Sequence, residues 1–68
     1  MDAKRIGRRL RELRGVFRTQ DEVANAIGID RSALSRYENG DAIPSDSVKI
    51  AIATYYGTTV GEIFFAEE

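Results

Sequence analysis

The fold turns on one stretch, "TQDEVANAIGIDRSALSRYENG", Thr19 to Gly40. Thr19 and Glu22 form a capping box, in which the hydroxyl takes the Glu22 amide and the carboxylate reaches back to the Thr19 amide. A helix with apolar Val23, Ala24 and Ile27 follows, and Gly28 is placed to end it in the left-handed conformation that glycine adopts freely. Two residues later Asp30 is a good N-cap for a further helix from Arg31 to about Glu38, which "NGD" then breaks. Two short helices joined by a tight glycine turn are a helix-turn-helix pattern. Val23, Ala24, Ile27, Ile29, Leu34 and Tyr37 are spaced to fill the angle between the helices, with small Ala24 at their closest approach. Once these point inward, Arg31, Ser32, Ser35 and Arg36 must point outward over an arc of roughly 140°.

That outward face holds no carboxylate, although Asp and Glu supply 11 of the 68 residues. Arginine pairs bidentately with the two major-groove acceptors of guanine, and serine donates or accepts at several bases. The face is therefore a candidate reader of DNA.

The flanking segments complete a helical chain. "MDAKRIGRRLRELRG" reads as a first helix from about Asp2 to Arg14, stopping near Gly15. Ser45 or Asp46 starts a fourth helix to about Tyr56, with Val48, Ile50, Ile52, Ala53 and Tyr56 as its apolar surface. Thr59 and Glu62 repeat the box pattern before a short fifth segment, about 59–66, carrying Val60, Ile63, Phe64 and Phe65. No stretch alternates with period two, so strands are not expected. The expectation is an all-α, compact five-helix arrangement in a single domain, 1–68, with its helix-turn-helix at about 19–39.

Composition narrows the function. A net charge of −1 averages two unlike halves. Residues 1–40 carry nine Lys or Arg against six Asp or Glu, and residues 41–68 one Lys against five acids. The basic half can meet a polyanion. With no histidine, no cysteine and no phosphate-cradling loop, neither catalysis nor a bound metal or cofactor is expected. No apolar run approaches the roughly 20 residues of a membrane span. The first helix offers only the narrow stripe Ile6, Leu10 and Leu13, interrupted by Asp2 and Glu12, which suits packing on helices better than lying in lipid. A cytoplasmic location and no small-molecule ligand are expected.

The whole run from "IGRRLRELR" through "TQDEVANAIGIDRSALSRYENGDAIPS" to "PSDSVKIAIATYYGTTVGEIFF" resembles the lambda-repressor-like (XRE) helix-turn-helix regulators, of the phage-repressor and Cro type. The resemblance implies a five-helix domain that binds double-stranded operator DNA as a homodimer and acts as a repressor. It places base contacts on Arg31, Ser32, Ser35 and Arg36, and backbone contacts on Gln20, Asn25, Asn39 and Arg8. Gln20 would also brace the second helix of the motif. Arg9 and Arg11 would add phosphate contacts or stand as solvated arginines. Phe65 and Ile63 are the dimer-contact candidates, with Phe64, Ile63 and Val60 expected to pack inward. The alternative is a protein-interaction module using that C-terminal apolar surface.

The chain departs from the pattern in three places. "RGVFRTQ" is shorter than the usual first connection and has Arg18 where a leucine is expected, so Phe17 is expected to supply the core contact. Asp30 replaces the common Ser or Thr and brings negative charge beside the docking face. Lys49 and Asp46 stand where apolar or neutral residues are frequent.

Overall fold

The computed structural model describes residues 2–66, which form α1 (Ala3–Arg14), α2 (Gln20–Ile27), α3 (Arg31–Glu38), α4 (Asp46–Tyr56) and a five-residue π-helical turn, Gly61–Phe65. These elements pack into a body of 28 × 23 × 22 Å with no strand among the described residues. The expectation of an all-α, five-segment fold holds.

The starts follow local chemistry. Asp2 caps α1, its Oδ1 accepting from the amides of Lys4 (3.0 Å) and Arg5 (3.2 Å). The Arg5 amide bond above all holds the Asp2 carboxyl below its ordinary pKa. At α2, Thr19 Oγ1 accepts from the Glu22 amide at 3.1 Å. The reciprocal half of the box is not formed, because the Thr19 hydroxyl instead donates to Glu22 Oε1 at 3.3 Å. Asp30 and Ser45 have the extended backbone of N-caps, yet neither side chain makes a capping bond. Gly28 turns out of α2 at φ 87°, with its own amide and that of Ile29 both returning to the Ala24 carbonyl.

Two apolar clusters hold the chain. Ile6, Leu10, Ile52, Ala53, Ile63 and Phe64 form the larger one, which joins α1, α4 and the C-terminal turn. Val23, Ala24 and Leu34 form a smaller core inside the helix-turn-helix, and Ile27 and Tyr56 bridge the two. A chain this size buries only about 60 % of its unfolded surface, so both clusters matter.

α1 lies against α3 without a spacer. An added Cβ at Gly7 would stand 2.9 Å from the Tyr37 carbonyl oxygen and 3.0 Å from the Glu38 carbonyl carbon, and closer still to the Glu38 oxygen. Only glycine permits that approach.

Three expectations need correction. Phe17 does not enter the core: it is 95 % exposed, beside an equally open Val16. Arg18, itself exposed, lies over the tyrosine pair instead, its guanidinium 5.5 and 5.6 Å from the ring centres of Tyr55 and Tyr56. Ile50 faces outward while Lys49 is buried, its Nζ 3.6 Å from Asp46 and over the rings of Phe64 and Phe65. At 100° per residue Val48, Lys49, Ile52, Ala53 and Tyr56 share one side of α4, and Ile50 falls opposite. Phe64 packs inward and Phe65 does not, as adjacent residues on one turn must. Ile63 is buried with Phe64, so its side chain is withdrawn from the candidate dimer surface.

Candidate nucleic-acid interface

The presented face of α3 follows from its buried one. Leu34 is sealed against Val23 and Ala24, and Tyr37 leans on the larger cluster. That leaves Arg31, Ser32 and Arg36 exposed and Ser35 half-buried. Gln20, Arg31, Ser32 and Ser35 line one shallow recess between the start of α2 and α3. Four residues expected to touch DNA are thereby brought together. Arg36 lies one helical step further along and is exposed, and no ion pair or hydrogen bond of its guanidinium occurs among the described residues.

The remaining candidates divide. Asn25 is exposed on α2, in a separate recess with Asp21, Asp30 and Arg31. Asn39 follows α3, and its side chain is already engaged. Its Oδ1 accepts from the Arg11 guanidinium, and its Nδ2 donates to Ser35 Oγ at 3.4 Å. Lys4 Nζ donates to the Asn39 carbonyl at 2.9 Å and lies 3.6 Å from Asp41. Arg8 is exposed on α1. Arg9 has a structural task, its guanidinium donating to the carbonyls of Ile63 (2.8 Å) and Ala66. Much of the basic surplus of α1 thus serves to tie α1 to the end of α3 and to the C-terminal turn.

Under the face sits a group that sequence reasoning passed over. Glu38 has a fully buried carboxylate, taken bidentately by Arg14 through Nε (2.8 Å) and Nη2 (3.0 Å). Gln20 Nε2 donates at 3.0 Å to Oε1, the oxygen that also accepts from Arg14 Nη2. A buried carboxylate persists only when paired and hydrogen-bonded, and three donors from two other helices meet that demand. The hydrogen bonds to Glu38 raise the Arg14 pKa above its ordinary value. Burial, reinforced by the Glu38 charge, pushes the neighbouring Tyr56 hydroxyl up to about 12. The node locks α1, α2 and α3 in one geometry. Gln20 braces α3 in this way while keeping its second Nε2 hydrogen and its Oε1 for another partner. The signal was present in the sequence: Glu38 lies four residues after Leu34, on the inward face.

Residues 5–63 match the family model of a helix-turn-helix domain. Among solved structures, the restriction-modification controller protein C.AhdI from Aeromonas hydrophila is 33 % identical, with a TM-score of 0.84 over 93 % of this chain and 97 % of that one. The clp gene regulator ClgR from Corynebacterium glutamicum has the same fold at 23 % identity and a TM-score of 0.82, over 93 % of this chain and 68 % of that one. No curated protein matches by sequence.

Proposed function

The chain belongs to the helix-turn-helix domain family, and from that premise we propose that it is a sequence-specific reader of double-stranded DNA that acts as a transcriptional repressor. α3 enters the major groove with Arg31, Ser32, Ser35 and Arg36 at base edges. Gln20, Asn25, Asn39 and Arg8 follow the phosphates. The observation that carries this reading is the face of α3: two arginines and two serines with no carboxylate of that helix among them, on a helix braced from beneath by Gln20 and Arg14 through Glu38.

One copy offers few base contacts, and a second copy doubles them. Molecules of 28 × 23 × 22 Å fit side by side on successive major grooves about 34 Å apart. Phe65, 61 % exposed at the C-terminal turn, is the residue offered to the partner copy across the two-fold axis. The membership in the lambda-repressor-like (XRE) group belongs to this reading, as does a cytoplasmic location. No helix of the described residues is long and apolar enough to cross a membrane.

The test is selection from a random duplex library at two salt concentrations, with wild type and Arg36→Ala in parallel. A two-fold-related site is expected, with Arg36→Ala costing about 1–3 kcal/mol and relaxing preference at one base pair. Absence of any retained DNA at low salt would overturn the reading. The competing one, a module that binds another protein, predicts that Arg36→Ala leaves DNA retention unchanged while substitution of Phe65 abolishes partner capture.

A further inference from the structure

Arg31 does not stand alone on the presented face. Its Nε lies 3.7 Å from Oδ1 of Asp21, the second residue of α2, and both side chains are largely exposed. An exposed pair of this kind adds little to stability. Its geometric consequence is larger. A guanidinium has five donors in a planar fork, and a carboxylate paired by charge on the Nε side leaves the two terminal amines as the open edge. That edge matches the O6 and N7 acceptors of a guanine.

The pair also reaches across two elements. Asp21 belongs to the first turn of α2, next to Gln20, whereas Arg31 opens α3. Both residues line the two recesses on either side of that junction, one with Asn25, Ile29 and Asp30, the other with Arg14, Thr19 and Gln20. A negative charge at this junction meets any phosphate that Arg31 swings toward. Discrimination is a difference between two affinities, and a group that penalises the wrong contact raises it as surely as one that favours the right contact.

We infer that Asp21 is a positioning residue for Arg31: it turns the guanidinium end-on toward a base and opposes its capture by the phosphate backbone. This rests on α3 being the base-reading helix. Asp21 itself touches no base, and it sets specificity rather than total affinity. The role is separate from that of a first-turn acid, which the neighbouring Glu22 also fills by favouring the positive end of the α2 dipole.

The test uses the full chain as wild type, Asp21→Asn, Asp21→Glu, Arg31→Ala and the double variant Asp21→Asn/Arg31→Ala. Circular dichroism melts establish that each is folded. Base preference is read by duplex selection, and affinity is then measured on the selected site and on a scrambled duplex. Asp21→Asn is expected to bind the scrambled duplex more tightly. Guanine preference at the Arg31 position should fall about fivefold, the factor to which a restraint of ~1 kcal/mol converts. Asp21→Glu should restore most of that preference, and Asp21→Asn should change no base preference once Arg31 is gone. Equal tightening on both duplexes with preference intact would overturn the inference, reducing Asp21 to bulk charge. So would the same loss of preference in the Arg31→Ala background. If wild type selects no site at all, the base-reading assignment of α3 fails first and the inference falls with it.

Discussion

Replacing Gly7 with alanine sets two physical rules against each other. Helix propensity alone favours the change by about 1 kcal/mol, because glycine in a helix interior is the costlier residue. The tertiary structure predicts the opposite sign. Gly7 is buried where α1 crosses the last turn of α3, and the new methyl would meet backbone atoms at 2.9 and 3.0 Å, with the Glu38 oxygen nearer still. Ordinary carbon contacts begin near 3.5 Å, and these neighbours are backbone that no rotamer change can clear. α1 must therefore lift away from α3. Overpacking of this kind costs about 1–3 kcal/mol, and lifting α1 also strains the Arg14 bonds to Glu38. Set against the propensity gain of about 1 kcal/mol, this leaves a net loss of up to about 2 kcal/mol, which lowers the melting temperature of a domain this size by up to roughly 15 °C.

The assay is thermal and urea unfolding followed by circular dichroism, with Gly61→Ala as control. Gly61 has room for a methyl, its nearest neighbour being Thr59 Oγ1 at 3.8 Å, and no positive φ. That control is expected to be neutral or slightly stabilising. If Gly7→Ala melts at or above the wild-type temperature, the close seating of α1 on α3 is wrong. In that case the three-helix lock around Glu38 loses its geometric basis.

Two further predictions concern the groups beneath the interface. Arg14→Met leaves the Glu38 carboxylate buried with Gln20 as its remaining donor among the described residues, and a loss of about 3–5 kcal/mol is expected, whereas Arg14→Met with Glu38→Leu should recover most of it. A double variant no more stable than the single one in chemical unfolding would show that the node is not an ion-pair lock. The Tyr56 hydroxyl is buried with no hydrogen-bond partner among the described residues, so Tyr56→Phe should leave the melting temperature unchanged or raise it by a few degrees. Its folded pKa, raised to about 12 from 10.0, means that the folded state holds this proton more tightly. The corresponding stability is present in full below pH 10, declines as the pH rises from 10 toward 12, and is absent from the pH dependence of Tyr56→Phe. Ultraviolet titration and alkaline melts check both statements; a Tyr56 that ionises near the ordinary 10.0 would contradict them.

Local chemistry made much of this protein readable without coordinates. Helix starts and stops lie in capping and turn residues whose preferences act over three or four positions, which is why the bounds of α2 and α3 and the turn at Gly28 could be read from Thr19, Gly28 and Asp30. The inward side of α3 follows from spacing alone, and with it the outward placement of Arg31, Ser32, Ser35 and Arg36.

Matters of choice between neighbours in space were not legible in that way. Phe17 has the greater hydrophobic content, yet the short connection leaves Arg18 over the tyrosine pair and Phe17 in water. On α4 a lysine lies inside and an isoleucine outside, because the side that faces α1 is chosen by the position of Val48, Ile52 and Tyr56 and not by Ile50 itself. Ile63 looks like Phe65 in a list of apolar residues but closes the core. Arg14 and Gln20 lie 24 and 18 residues before Glu38 along the chain, and the three acquire their shared role only where three helices converge. Sequence by itself determined the elements and the face of α3, since those depend on contacts within a turn. Tertiary structure decided which charges are buried and paired, which arginines remain available to a ligand, and which apolar residues remain at the surface, because each depends on partners brought near only by folding.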